Sequence, residues 1–126
     1  MSILVTGTAG FIGSCFVRQR LASSHEKIIS LDALTYAGHL STLLPIINNP
    51  NHIFVHGSIG EKNLVSRLLA EHKPRAVVNF AAESHVDRSI LGPEAFIETN
   101  VLGTFRLLEA VKEYWQELGC EEQNRF

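Results

Sequence analysis

The sequence has 126 residues, of which 45% are hydrophobic and 19% are charged, with a net charge of −2 at pH 7. This length suits one small domain with its own core, and the charge balance gives no basic footprint for nucleic acid. No apolar run reaches the roughly 18 residues that a membrane span needs, and we see no signal peptide. The two cysteines lie far apart, which predicts free thiols in a cytoplasmic protein.

The first predicted elements are a strand, a glycine-rich turn and a helix. The apolar run Ile3-Leu4-Val5 predicts a buried strand, and an apolar helical pattern over about 11–23 begins among three glycines. Gly7 permits the tight turn, Gly10 leaves the backbone open to a pyrophosphate, and Gly13 permits close packing of the helix on the sheet. Because the helix N-terminus also presents free N–H groups, this order predicts a dinucleotide site, although three glycines alone are a weak signal.

The second predicted strand, 27–32, ends in a carboxylate. Asp32 lies 19 positions after Gly13, close to the separation of roughly 20 expected for the acid that binds the adenosine ribose. The alternative is that Asp32 only caps a loop or a helix. A carboxylate repels a 2′-phosphate, and residues 32–38 contain no Lys or Arg. The sequence therefore predicts NAD rather than NADP.

The rest of the chain alternates strands with helices. Strands are predicted over 52–56 and 76–80, and helices over about 39–48, 61–72 and 93–118, with Gly119 just past the last. Alternation predicts α/β architecture, with a Rossmann-type parallel sheet of about four strands and helices on both faces. Right-handed crossovers give the strand order 3-2-1-4, with the ligand crevice outside the carboxyl ends of strands 1 and 4.

The last predicted helix has apolar residues spread over roughly 240° of its circumference, wider than the one-sided stripe of about 100°. We expect a second partner for it, either a missing helix or another subunit. The alternative is a helix covered on both sides within one monomer. The absence of a fifth strand also predicts an exposed edge at the fourth, so a homo-oligomer is expected.

Four sequence runs carry a resemblance to a known family. They are Gly7-Thr8-Ala9-Gly10-Phe11-Ile12-Gly13, Asp32-Ala33-Leu34-Thr35-Tyr36-Ala37-Gly38, Phe80-Ala81-Ala82-Glu83-Ser84-His85-Val86-Asp87-Arg88-Ser89-Ile90 and Glu98-Thr99-Asn100-Val101-Leu102-Gly103-Thr104. Together they resemble the dTDP-glucose 4,6-dehydratases of the extended short-chain dehydrogenase/reductase family, over essentially the whole chain. The resemblance implies an NAD-dependent lyase that oxidises the glucose C4 hydroxyl, eliminates water across C5–C6 and returns the hydride to C6. The product, dTDP-4-keto-6-deoxyglucose, feeds deoxysugars such as rhamnose.

The resemblance also implies which residues contact the cofactor and the sugar nucleotide. The implied cofactor-binding residues are Gly7, Gly10, Phe11, Ile12, Gly13, Asp32, Ala33, Leu34, Thr35, Gly38, Ser58, Ile59, Ala81, Ala82, Ser84 and Thr99. The implied substrate-binding residues are Ser84, His85 and Asp87. His85 and Asp87 could equally be turn residues bonded to backbone. No metal is implied: His52 and His56 would lie about 13 Å apart along a strand, too far to share an ion.

Two positions depart from the family pattern. Ala33 stands where members usually carry Lys, and Ser58 stands where they usually carry an Asp that accepts a hydrogen bond from the adenine amino group. A hydroxyl still accepts such a bond, but a neutral hydrogen bond is weaker than a charged one by about 1 kcal/mol.

The family's proton-transfer residues, a Thr-Asp-Glu run and a Tyr-x-x-x-Lys pair, follow the fourth strand and its helix. Here Tyr36 is followed four positions later by Leu40, and Tyr114 by Leu118. The resemblance therefore implies that the Rossmann-type sheet is truncated after about four strands and that residues 1–126 form the N-terminal half of the NAD(P)-binding domain. It also implies that these residues include no substrate domain and no catalytic residue, so that the chain alone binds nucleotide without turnover. The alternatives are a stand-alone, non-enzymatic NAD-binding module and an interaction domain with a vestigial glycine turn.

Two further interpretations concern side chains outside the predicted site. Glu109, Glu113 and Glu117 are interpreted as a solvated face of the last helix. Cys15 is interpreted as small apolar packing beneath the glycine turn, because its motif offers no paired His or second Cys.

Overall fold

The computed structural model describes residues 1–35 and 38–126, and its centre is a four-stranded parallel sheet. The strands are β1 (Ser2–Thr6), β2 (Lys27–Asp32), β3 (His52–His56) and β4 (Val77–Asn79). Their order is β3-β2-β1-β4, and each adjacent pair is parallel. The predicted order and sheet type are therefore confirmed, and β4 is shorter than predicted by one residue at each end.

Helices and turns of helix connect the strands. They are α1 (Phe11–Ser23), a 3₁₀ helix (Leu40–Ile46), α2 (Lys62–His72), α3 (Val86–Leu91), α4 (Pro93–Phe96), a π-helical segment (Ile97–Gly103), α5 (Thr104–Glu117) and α6 (Cys120–Gln123).

Two sequence predictions about these helices need correction. The α-helix predicted over 39–48 is a 3₁₀ helix that contains Pro45, and proline lacks the N–H that an α-helical ladder requires. The helix predicted over 93–118 is divided by the π-helical segment, although Pro93 does open it and it ends at Glu117, before Gly119.

The sheet is covered on both faces, which explains why β1 reads as an uninterrupted apolar run. Ile3 and Val5 belong to a core cluster with Val17 of α1 and Leu43 of the 3₁₀ helix. Side chains alternate along a strand, and the opposite face carries a second cluster, listed from β1 to α5 as Leu4, Ile29, Leu31, Ile59, Val65, Leu68, Leu69, Leu107 and Ala110. The prediction of helices on both faces is confirmed.

One side of the last helix has no cover among the described residues. Its exposed apolar side chains are Ile97, Val101, Leu102, Phe105, Leu108 and Trp115, of which Leu108 is 61% exposed. The alternative of a helix covered on both sides within one monomer is therefore wrong for the part of the chain that the structure describes. Within that part, β4 also pairs on one side alone, with β1.

The interpretation of Cys15 is wrong, whereas the solvated face predicted for the three glutamates is confirmed, with two of them in surface ion pairs. Cys15 is exposed, because it is two positions from the buried Val17 and therefore about 200° around α1. Glu113 lies 2.6 Å and Glu109 lies 3.9 Å from the Lys62 ammonium of α2. These two carboxylates thus join α5 to α2, while Glu117 is exposed.

Candidate functional site

The turn after β1 brings its backbone against both neighbouring strands. Gly7 has a φ of +67° and donates its N–H to the Leu31 carbonyl of β2 at 2.9 Å. A Cβ added at Gly7 would lie 2.5 Å from the Ala81 nitrogen and from the Phe80 carbonyl carbon. Gly7 is therefore required both by its conformation, as predicted, and by the close approach of the segment that leaves β4.

The other two glycines of the turn have different surroundings. A Cβ at Gly13 would overlap the Gly7 carbonyl and lie 3.0 Å from the Thr8 Cα, so Gly13 lets α1 pack against the turn itself. A Cβ at Gly10 would meet the Gly7 oxygen at 3.4 Å, an ordinary contact. Gly10 is thus free of internal packing demands, and its open side faces the cleft described below.

Asp32 ends β2 with a buried carboxylate. One of its oxygens accepts the Ala9 N–H at 2.8 Å, and the other accepts the Leu34 N–H at 2.7 Å. These bonds tie the end of β2 to the glycine turn and to its own loop, as the capping alternative requires. Each carboxylate oxygen has a second lone pair that these bonds do not use. A Cβ at Gly38 would lie 3.0 Å from Oδ1 of Asp32. The glycine thereby leaves room beside the carboxylate for a hydroxyl group.

The loop after β3 is ordered by its own hydrogen bonds. The Ser58 N–H donates to the Glu61 carboxylate at 2.6 Å, and the Gly60 N–H donates to the Ser58 hydroxyl at 3.1 Å. Ile59 is buried in the core that α5 shares. This arrangement fixes the Ser58 side chain at the carboxyl end of β3.

The segment after β4 is fastened to the π-helical segment by Asn100. Its side-chain oxygen accepts the Glu83 N–H at 2.8 Å, and its side-chain nitrogen donates to the Glu83 carbonyl at 2.8 Å. The sequence alone does not predict this role of Asn100. Its place in the run Glu98–Thr104, which carries part of the resemblance, is the available signal.

These loops enclose a cleft of about 310 Å³ at the carboxyl edge of the sheet. The predicted cofactor residues that line it are Gly7, Gly10, Asp32, Ala33, Thr35, Gly38, Ser58, Ile59, Ala81, Ala82 and Thr99. An adjoining cleft is lined by Phe11, Ile12, Gly13, Ser84 and His85, together with Gly7 and Gly10. Phe11 is 92% exposed there. The sheet therefore brings together residues from four separate loops, at the edge that the strand order predicts.

Two predicted residues lie apart from these clefts. Leu34 packs against the core cluster that contains Val17, and it reaches the site through its N–H bond to Asp32. Asp87 lies in the first turn of α3, where the sequence predicts a loop. Tyr36 and Ala37 of the second resemblance run lie outside the described residues.

The two strand histidines are engaged with groups other than each other. The His52 ring is buried, with Nε2 2.8 Å from the Ser30 hydroxyl, and burial lowers the pKa of His52. The His56 Nε2 lies 3.0 Å from the Ala33 carbonyl. Within residues 1–35 and 38–126 there is no group of three His, Cys, Asp or Glu arranged to hold a metal ion. The same ranges contain no helix long and apolar enough to cross a membrane.

A parallel sheet with a glycine turn after β1, an acid at the end of β2 and a cleft at its carboxyl edge defines a Rossmann-type α/β protein. The chain belongs to the GDP-mannose 4,6-dehydratase family, whose sequence model matches residues 4–126. It is 58% identical over 123 residues to a dTDP-glucose 4,6-dehydratase of Xanthomonas campestris and 47% identical over 126 residues to one of Escherichia coli. The resemblance stated from the sequence is confirmed.

Solved structures agree with these relatives. A dTDP-glucose 4,6-dehydratase from Streptomyces venezuelae, crystallised with NAD bound, matches 90% of the chain at a TM-score of 0.85 and 50% identity. A UDP-glucose 4-epimerase from Thermotoga maritima matches 90% at 0.79 and 35% identity. The chain spans 36% and 35% of those two structures. The matches to the two curated relatives include 98% and 100% of this chain. They span only 35% of the length of each relative.

Proposed function

We propose that the protein binds NAD as the cofactor-binding part of a dTDP-glucose 4,6-dehydratase. The observation that carries the proposal is the cleft in which an open glycine backbone and a buried carboxylate meet at the carboxyl edge of the sheet. Relatives with this fold are crystallised with NAD, and the curated relatives are dTDP-glucose 4,6-dehydratases. Cofactor and sugar-nucleotide partner are therefore proposed together.

The proposed cofactor position follows from the strand order. The pyrophosphate would lie over Gly10, where the N-terminus of α1 offers unpaired N–H groups and a positive dipole end. The adenosine ribose would bond the free lone pairs of Asp32, and the nicotinamide would lie toward Ala81 and Ala82 after β4. Bound NAD would supply hydride acceptance and return in the dehydration of dTDP-glucose, while Asp32 and the glycine turn would bind and orient it.

The proposed sugar-nucleotide contacts lie beside that position. Ser84 and His85 line the adjoining cleft, and Asp87 follows on α3. The 126 residues contain no Tyr-x-x-x-Lys pair, so we propose that they contribute cofactor and substrate contacts but no base for the sugar hydroxyl. On this proposal the 126 residues alone bind NAD and do not turn over dTDP-glucose. The cytoplasmic location and the homo-oligomer remain predictions.

The cofactor proposal is tested by isothermal titration of the protein with NAD and with NADP. The 2′-phosphate of NADP would meet the Asp32 carboxylate, so we expect NAD to bind at least about tenfold more tightly. Asp32→Asn keeps one acceptor for the local N–H groups but removes the charge, and it should narrow that preference. Glu117→Gln, on the exposed end of α5, is the matched control. Equal affinity for the two cofactors in the unaltered protein would contradict the proposal.

A further inference from the structure

We propose that Ser58 makes the purine end of the cleft tolerant of the group at purine C6, so that a hypoxanthine dinucleotide binds nearly as well as NAD. This inference rests on the proposed function, because it concerns the base of a dinucleotide held in the same cleft. Ser58 would then be a specificity-determining residue for the cofactor.

The strand order places the base next to Ser58. With the pyrophosphate over the turn after β1 and the ribose at Asp32, the last residue of β2, the base would extend toward the next strand, which is β3. The cleft-lining residues contributed by the loop after β3 are Gly57, Ser58 and Ile59. Of these three, Ser58 alone has a polar side chain, and it therefore supplies the side-chain hydrogen bonding of this loop to a base.

The local hydrogen bonds determine what Ser58 has left to offer. Its hydroxyl accepts the Gly60 N–H at 3.1 Å, which occupies one of its two lone pairs. Its own N–H is held by the Glu61 carboxylate at 2.6 Å. Glu61 does not belong to the residues that line the cleft. The hydroxyl of this cleft-lining residue thus retains one O–H donor and one acceptor lone pair for a further partner.

A group that both donates and accepts does not distinguish the two purines. The edge of adenine presents an amino donor at C6 and an acceptor at N1, whereas hypoxanthine presents an oxo acceptor and an N1–H donor. A hydroxyl accepts from the first pattern or donates to the second by rotating its hydrogen. A carboxylate only accepts, so it would select the amino group and repel the oxo oxygen.

The experiment is isothermal titration of the purified protein with NAD and with nicotinamide hypoxanthine dinucleotide. For the unaltered protein we expect dissociation constants within about threefold of each other, since the exchange swaps one neutral hydrogen bond for another. Ser58→Asp should favour NAD by about tenfold or more, because a charged acceptor replaces the hydroxyl. Ser58→Thr keeps the hydroxyl and is the matched control, with the ratio of the unaltered protein.

Two results would overturn the inference. The first is a preference of the unaltered protein for NAD of about tenfold or more, a measurement that does not depend on any variant folding. The second is a Ser58→Asp protein with an unaltered melting curve and an unaltered ratio of the two affinities. Failure of both dinucleotides to bind the unaltered protein would overturn the proposed function along with it, so the two failures are distinguishable.

Discussion

Gly10 and Gly13 belong to one turn, and an alanine at each is expected to damage a different property. At Gly13 the new methyl group would overlap the Gly7 carbonyl oxygen and would lie 2.8 Å from the Gly7 carbonyl carbon. These neighbours are backbone atoms, which cannot rotate away as a flexible side chain would. At Gly10 the nearest atom would be 3.4 Å away, and the backbone angles of −77° and 174° suit an alanine.

The two magnitudes follow from these contacts. Overpacking of this kind costs typically about 1–3 kcal/mol, and the higher helix propensity of alanine returns at most about 1 kcal/mol. Since the Gly13 overlap is with backbone, we expect Gly13→Ala to lower the free energy of unfolding by about 2 kcal/mol, which lowers Tm by about 5–10 °C. Gly10→Ala should cost only about 0.5 kcal/mol as an N-cap substitution. Its methyl group would instead enter the proposed pyrophosphate position and weaken NAD binding by about tenfold or more.

The assay pairs thermal unfolding, followed by circular dichroism, with isothermal titration of NAD on the same preparations. The expected pattern is a double dissociation: stability falls in Gly13→Ala, and affinity falls in Gly10→Ala while its unfolding curve stays close to that of the unaltered protein. A Gly13→Ala protein that unfolds at the unaltered midpoint would refute the packing argument. Unchanged affinity in Gly10→Ala would refute the placement of the pyrophosphate.

Three more predictions concern Asn100, His52 and the exposed side of the last helix. Asn100→Ala removes both bonds to Glu83 and should cost about 1 kcal/mol with faster hydrogen exchange at the Glu83 amide, whereas exposed Asn63→Ala should change neither. Burial lowers the pKa of His52, so the unfolded chain takes up the proton first. The contribution of neutral His52 to the free energy of unfolding should be complete above about pH 6.5 and should be lost as the pH falls below it. Urea unfolding at a series of pH values should therefore show a weaker dependence of this free energy on pH in His52→Gln than in the unaltered protein. Phe105, which is 55% exposed, should support self-association; Phe105→Glu should lower the mass seen in sedimentation, and an unaltered protein that is monomeric at high micromolar concentration would contradict this.

Strands β1 to β3 were predictable because each is an apolar run bounded by residues that break strands. β2 and β3 have the predicted bounds, since β2 ends on Asp32, whose carboxylate accepts a hydrogen bond from the following loop, and Gly57 follows β3 directly. β4 is shorter because it pairs with β1 over only three residues, Val77 to Asn79. The length of a strand depends on the neighbouring strand with which it pairs, and the apolar residues of one segment do not indicate how far that pairing extends.

The site was predictable to the extent that it depends on spacing along the chain. The glycines, Asp32 and the loops after β3 and β4 converge as the strand order requires. The reciprocal bonds between Asn100 and Glu83 and the second role of Gly7 were not predictable, because both depend on segments that are distant in sequence and adjacent only in the fold. Leu34 shows the converse: its side chain turns to the core and only its N–H serves the site.

Gly7 lies against the carboxyl end of β2 and against the segment that follows β4, so the backbone that lines this part of the cleft is preorganised. Leu31 and Ala81 are held on either side of this one peptide unit, so this backbone has little conformational entropy to lose when a ligand arrives. Most of the conformational entropy lost on binding should therefore come from the dinucleotide, which has several rotatable bonds. An insertion of even one residue in any of the three segments that follow β1, β2 and β4 would require a compensating change of backbone path in the other two.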